Sequence, residues 1–427
     1  MKKEIISSER LGEQYTVVHH PSGCTICLYP TKDRTAVALF STRYGSVDTT
    51  FKTASDDDYV TVPEGIAHYL EHKLFESEEC NAFDRFAETG ADVNAYTSFD
   101  STAYLFMSTK DFAKNLRLLL DFVQKPYFTD ENVEKERGII EQEIKMYLDD
   151  PGTRVFYNCL DAVYHHNPVR IDIAGTVESI QKIDKELLYR CYNTFYNLNN
   201  MVLSIVGSFD PDEALAICDE LLKPGDDPRL SVLVPEEPPE VREKYTVREF
   251  PCAIPLFQIG FKVPLPEKSE QKRRFILLTL ALNTALGRNS DFYCRLYDEG
   301  LIDDNFCTGL FEGRGFFLPF VSGESRDPRR LCDEVVKELT RCQREGLPRE
   351  DFEIVKKMTY GDTLKSFRSV GGIARRVLNA HLFGSNAYAN IEYTAAASYE
   401  DVNEALKALD LDNHSLSVIE PPKEKEG

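Results

Sequence analysis

Two kinds of hydrophobic spacing alternate along the chain, and that alternation outlines its elements. Runs at 34–45 (RTAVALFSTRYG), 102–108 (TAYLFMS) and 201–207 (MVLSIVG) are apolar or repeat with a period of two, as strands do. Between them, stretches at 62–76, 111–124, 130–148 and 211–222 carry apolar residues at helical spacing. After residue 240 the order returns: a strand at 255–263 (PLFQIGFKV), an apolar helix at 273–286, a strand near 315–322 (GFFLPFVS), then two helices. A local echo points to duplication. LLLDFVQKPYF runs into TDENVEKERGII in the first half and VVKELTRCQREG into LPREDFEIVKKM in the second, each a helix, a short turn and a charged helix. Residues 223–240 (KPGDDPRLSVLVPEEPPE) set five prolines among acids and read as a linker. The expectation is an α+β protein of two related domains, 1–222 and 241–427, with a frayed tail at 421–427.

Composition narrows the partners. The chain has 427 residues, enough for two or three domains with their own cores, and 50 Lys plus Arg against 71 Asp plus Glu, a net charge of −21. Nucleic acid or an anionic membrane as main partner is disfavoured by that sign; basic or neutral ligands fit it. The opening MKKEIISSERLGEQY lacks the apolar core of a secretory signal, and no stretch approaches the roughly 18 apolar residues of a membrane span. A cytoplasmic location is expected. Eleven scattered cysteines suit a reducing compartment. Cys24 and Cys27 form a C-x-x-C, but within a strand-like run residues three apart face opposite ways, which argues against a shared metal or an easy disulfide.

The chemistry concentrates in VPEGIAHYLEHKLFE. His68, Glu71 and His72 are spaced H-x-x-E-H. On a helix the two histidines lie ~40° apart and Glu71 ~60° to the other side, so all three leave one face. Two imidazoles four apart can clamp one zinc ion, and Glu71 is placed to take a proton from a water on that ion. Ile66, Leu70 and Leu74 cover the opposite side as the expected packing face, leaving the His, Glu and Phe75 side to look into a cleft. A catalytic zinc wants three protein ligands. In EKERGIIEQEIKMYLDD, taking Ile140 as zero, Val133, Ile144 and Tyr147 fall within ~40°, Glu136 at ~40° and Glu143 at ~60°. Both carboxylates therefore share the apolar stripe, where a charge must be paired or coordinated. Glu143 as third ligand and Glu136 orienting a ligand meet that requirement; an ion pair with Arg137 or Arg154 is the competing reading. Residues 94–108 are rich in Thr, Tyr and Phe, as a strand should be. At a sheet edge such a strand could accept an extended peptide; otherwise Tyr96 and Phe99 pack it inside a sheet.

The combination of HYLEHKLFE, GADVNAYTSFDSTAYLF and EKERGIIEQEIKMYLDDP resembles the pitrilysin family of zinc metallopeptidases, which includes mitochondrial processing peptidase and insulin-degrading enzyme. The resemblance covers about residues 36–210 best. It implies two homologous α/β-sandwich domains forming half of a clamshell, and one Zn2+ per chain held by His68, His72 and Glu143. It also implies Glu71 as catalytic base, Glu136 as supporting catalytic acid, and peptide binding along Asn94, Ala95, Tyr96 and Thr97. The implied activity is that of a zinc endopeptidase on peptides or small unfolded polypeptides, basic ones by the charge argument; a non-cleaving, peptide-holding subunit is the alternative. Half of a four-domain chamber also implies a homodimer, or a heterodimer with a motif-less paralogue. The second half has no H-x-x-E-H and should be a non-catalytic copy. Many relatives there carry an Arg followed seven residues later by Tyr to grip substrate. In CRLYDEGLIDD those places hold Tyr297 and Asp303, with Arg295 out of register, so a partner chain is expected to supply the grip. Gly371 and Gly372 read as a turn.

Overall fold

The computed structural model describes residues 2–78 and 81–422. Strands β1 (Lys2–Ser8), β2 (Glu13–His19), β3 (Thr25–Pro30) and β4 (Ala36–Thr42) open the chain, then the short β5 (Thr50–Lys52) and β6 (Val60–Thr61). Helices α1 (Ile66–Leu74) and α2 (Ala82–Ala87) precede a hairpin, β7 (Asp92–Thr97) and β8 (Thr102–Ser108). Next come α3 (Phe112–Val123), α4 (Asp130–Leu148), α5 (Pro151–Val163), α6 (Val177–Ile180), α7 (Lys185–Phe195), β9 (Met201–Gly207) and α8 (Pro211–Leu221). The rest runs β10 (Ser231–Val232), β11 (Tyr245–Glu249), β12 (Leu256–Phe261), α9 (Lys268–Leu286), α10 (Asp291–Asp298), β13 (Cys307–Gly313) and β14 (Phe316–Glu324). It closes with α11 (Pro328–Glu345), α12 (Arg349–Lys365), α13 (Val370–Leu382), α14 (Ala389–Ala396), α15 (Tyr399–Lys407) and β15 (His414–Glu420).

The duplication read from the helices is written more clearly in the sheets. One sheet orders its strands β1-β2-β3-β9-β4-β8-β7, the other β11-β15-β12-β14-β13. The last five strands of the first match the five of the second, each beginning with one parallel pair, β3/β9 and β11/β15, followed by antiparallel neighbours. Strands β7 and β13 are the equivalent sheet edges.

The compact units are not the linear halves. One comprises residues 1–144, 172–233 and 365–389, the other 145–171, 234–364 and 390–427. Each unit thus takes the third helix after its hairpin from the opposite half: α5 lies on β15 and β12, and α13 lies on β9 and β4. The seats are alike. The buried Ser417 hydroxyl of β15 donates to the Val155 carbonyl of α5 at 3.0 Å, and the buried Ser204 hydroxyl of β9 donates to the Ala374 carbonyl of α13 at 3.1 Å. At Gly260 of β12 a Cβ would come 2.9 Å from Cys159 Sγ, so glycine is what lets α5 approach the sheet so closely.

This exchange corrects the linear boundaries at 222 and 241. The expected linker is also more tied down than its prolines suggest. Ser231 and Val232 pair with Lys52 and Phe51, while Glu237 accepts the amide N–H groups of His165, His166 and Asn167 and pairs with buried Lys262 at 3.0 Å. Among the described residues five helices, not two, follow β14. The glycine pair expected as a turn forms the first turn of α13, where Ser369 caps the helix by accepting the Gly372 N–H at 3.0 Å. The tail at 423–427 lies outside the described residues. Among the described residues no helix is long and apolar enough to cross a membrane.

Candidate metallopeptidase site

Helix α1 is set in place at both ends of its first turn. Gly65, before the helix, has φ 87°, and a Cβ there would sit 2.3 Å from the Ala174 carbonyl oxygen, so the chain enters α1 through a position only glycine fits. One turn on, the Tyr69 hydroxyl donates to the Val133 carbonyl of α4, tying the two helices together. The H-x-x-E-H residues of one helix consequently face the glutamates of the other.

Ligand atoms of His68, His72 and Glu143 all lie within 4.8 Å of one another. His68 Nε2 is 3.7 Å and His72 Nε2 3.4 Å from Glu143 Oε2. Four ligands at ~2.0–2.1 Å around a tetrahedral zinc sit about 3.4 Å apart, so the three side chains fit that ion with little movement. Glu136 Oε1 lies 3.0 Å from His72 Nδ1, a contact that holds the ring with Nε2 turned towards Glu143. Arg137, one of the two competing partners, bonds Glu134 and the Ile183 carbonyl. His68 has no such support; among the described residues its buried Nδ1 has no hydrogen-bond partner, and packing holds the ring.

Glu71 stands apart from the ligands. Its Oε2 accepts the Thr97 hydroxyl at 3.0 Å. Burial raises its pKa, against the lowering by His72 and Thr97, which moves a carboxyl towards the range of a general base at neutral pH. The histidines diverge. Burial, with the neighbouring His72 charge, pushes His68 down to about 4, whereas hydrogen bonds to Glu136 and Glu143 outweigh desolvation and carry His72 up to about 10. Burial alone would raise Glu136, but His72 and Lys73 together hold it below the ordinary carboxylate range.

Strand β7 is the outer strand of its sheet. The Ser98 N–H donates to the Ser101 carbonyl in the hairpin, so ladder alternation turns the backbone groups of Thr97, Ala95 and Val93 towards the free edge. The Ala95 N–H is indeed off the ladder, donating to the Asn94 side chain at 2.8 Å. Asn94, Ala95, Tyr96 and Thr97 therefore occupy an edge whose last residue is bonded to Glu71.

Two expectations about orientation do not hold. Phe75 is buried in an aromatic cluster with Phe83, Tyr104 and Phe122 rather than facing a cleft, because α1 ends there and packs against the hairpin and α3. Tyr147, placed in the apolar stripe by its angle, is 38% exposed at the last turn of α4. One residue was missed altogether. Lys73 is fully buried, its Nζ 2.5 Å from Glu76 Oε2 and 3.9 Å from Glu136 Oε2, and nothing in a charged residue's identity announces burial. Cys24 and Cys27 are buried free thiols. In the second unit Arg295 is engaged by Glu334 at 2.7 Å and Glu299 at 3.4 Å, and Tyr297 is exposed and stacked on Tyr293.

A helix-borne H-x-x-E-H, a glutamate from a second helix and a strand edge at the base have the composition of a zinc-peptidase centre. Residues 56–177 match the insulinase (peptidase family M16) profile and residues 182–359 the peptidase M16 inactive domain. The chain is 37% identical over 408 residues to a protein of Bacillus subtilis named uncharacterized zinc protease YmfH, covering 94% of this chain and 95% of the relative. An uncharacterized zinc protease of Streptomyces coelicolor is 24% identical over 383 residues, 85% of this chain and 82% of the relative. The crystal structure of an M16-like peptidase from Alicyclobacillus acidocaldarius superposes with a TM-score of 0.90 at 37% identity, covering 96% of this chain and 98% of that one. A Helicobacter pylori protease shares the fold at TM-score 0.80 and 16% identity, over 95% and 99% of the two chains. The chain belongs to peptidase family M16, the insulinase family of zinc proteases.

Proposed function

We propose that this chain is a zinc-dependent endopeptidase acting on peptides or small unfolded polypeptides. One observation carries the reading: Glu71, beside the His68, His72 and Glu143 ligand set, is bonded to the last residue of the open strand β7. A peptide added along that edge gains main-chain hydrogen bonds with little demand on its sequence, and it runs past the base. His68, His72 and Glu143 would hold the zinc. The ion, when bound, polarises a peptide carbonyl and acidifies water. Glu71 takes the proton released in the attack and returns it to the leaving amine nitrogen. Glu136 keeps the His72 ring in register throughout.

The test is a comparison of wild type with Glu71→Gln, each with its zinc content measured, on an unfolded peptide mixture. Cleavage by wild type that disappears in a zinc-loaded Glu71→Gln chain supports the reading. Bound zinc with no Glu71-dependent cleavage would instead favour a peptide-holding subunit.

The same reading extends to assembly and surroundings. Two such two-domain chains, as a homodimer or with a paralogue lacking the motif, would complete a four-domain chamber; a mass near 48.7 kDa in solution with full activity would refute this. The charge of −21 would draw basic peptides at long range. Ten free cysteines among the described residues support a cytoplasmic, reducing setting.

A further inference from the structure

A strand that adds to β7 has two faces, and the protein lines them differently. Val93 and Ala95 turn inwards onto the core that contains Ile66 and Leu70. Alternation sends Asn94 and Tyr96 to the opposite face, the one on which α13 covers β9 and β4. There the guanidinium of Arg375 stands 5.3 Å from the centroid of the Tyr96 ring. Arg375 is exposed, and among the described residues this ring is its only recorded partner. The next residue shows the contrast: Arg376 donates to Ser366 Oγ at 2.5 Å and lies over Phe367, engaged by the turn before its helix.

We infer that Arg375, held over Tyr96, is a specificity-determining residue that recognises an acidic side chain of a peptide lying along β7. This rests on the peptide-binding reading of that edge given above. An added strand runs about 4.8 Å from β7 and sends every second side chain to the Tyr96 face. A side chain opposite or diagonal to Tyr96 has its Cβ about 5–8 Å away, within reach of the guanidinium for Asp or Glu. The cation–π contact with the ring restrains the arginine and leaves N–H donors of its planar fork for a carboxylate. The chain's negative charge acts on the whole peptide at a distance, whereas Arg375 acts at contact on one alternate position. The substrate class is therefore a peptide, basic overall, with Asp or Glu at a position facing away from the α1 side of the sheet.

The test uses the full zinc-loaded chain and a peptide series in which each position on either side of the scissile bond is in turn Glu, Gln or Lys. With wild type, kcat/KM for Glu should exceed that for Lys about five-fold at one of a set of alternate positions. Arg375→Gln should level the ratio there and Arg375→Glu should invert it. Binding of the same peptides to Glu71→Gln and to Glu71→Gln/Arg375→Glu, followed by fluorescence anisotropy, gives a readout that needs no cleavage. An unchanged Glu-to-Lys ratio in all three chains, or a change of equal size at every position, overturns the assignment. Charge-dependent binding without any Glu71-dependent cleavage would sink the peptidase reading and keep the subsite; cleavage indifferent to Arg375 would do the reverse. A chain that neither binds nor cuts any member of the series overturns both.

Discussion

Thr97 donates its hydroxyl to Glu71 Oε2 at 3.0 Å, so the strand that would carry the peptide also helps set the basicity of the base. Hydrogen bonds to a carboxylate favour its ionised form. Replacing Thr97 by Val removes this bond while keeping the side chain's shape. The carboxyl of Glu71, already raised by burial, should rise further, and the acidic limb of the kcat/KM profile should move to higher pH. A profile whose acidic limb stays in place would show that Glu71 is not the group titrating there.

The two histidines should differ when metal binds. Without metal, His68 is neutral at pH 7, its pKa being pushed to about 4, while His72 keeps its proton, with a pKa raised to about 10. A proton on His72 Nε2 must leave before that atom can hold a metal. Binding zinc at pH 7 should therefore release about one proton, and affinity should rise about tenfold per pH unit until the pH passes the pKa of His72. Calorimetry in buffers of different ionisation enthalpy measures the release directly. No proton release at pH 7 would contradict the assignment of His72 as the protonated partner of Glu136 and Glu143.

Lys73 and Glu136 should separate stability from metal affinity. Lys73→Met leaves Glu76 without its buried counter-ion and takes one of two cations from beside Glu136, and breaking such a pair costs about 3–5 kcal/mol, read by urea denaturation of the metal-free chain. Glu136→Gln keeps the shape but weakens the support of His72, and loss of an outer-shell partner of this kind costs about 10–100-fold in metal affinity. If Glu136→Gln retains zinc as tightly as wild type against a competing chelator, Glu136 does not position His72.

Much of this site was legible because the spacing that encodes it is local. His68, Glu71 and His72 share a face by helix arithmetic alone, and the stripe of α4 singled out Glu136 and Glu143 because a carboxylate among Val133, Ile140 and Ile144 needs a partner. What stayed hidden depends on which surface meets which. Lys73 is buried because α1 is enclosed on nearly every side, a fact of packing that its amphipathic pattern does not carry. The apolar sides of α5 and α13 say that each must be covered, but not that each is covered by the sheet of the other half. Only afterwards does the pair of runs LSIV at 203–206 and LSVI at 416–419 show itself as the repeated seat.

That seat yields a prediction about the exchange itself. Ser204 and Ser417 each give a fully buried hydroxyl to a carbonyl of the exchanged helix, and a hydrogen bond of this kind contributes about 1 kcal/mol. Ser204→Ala and Ser417→Ala should therefore lower stability by similar amounts, each removing one bond between a helix and its sheet. Gly260→Ala should do more, because its Cβ would press on Cys159 Sγ at 2.9 Å and Val163 Cγ2 at 3.2 Å, and overpacking a tight helix seat costs about 1–3 kcal/mol. Combining it with Cys159→Ala, which clears the nearer atom, should recover part of that loss. Denaturation midpoints of the five chains decide the matter. If Gly260→Ala is no less stable than wild type and Cys159→Ala brings it no relief, α5 does not rest on β12 at this point, and the exchange must be held by other residues.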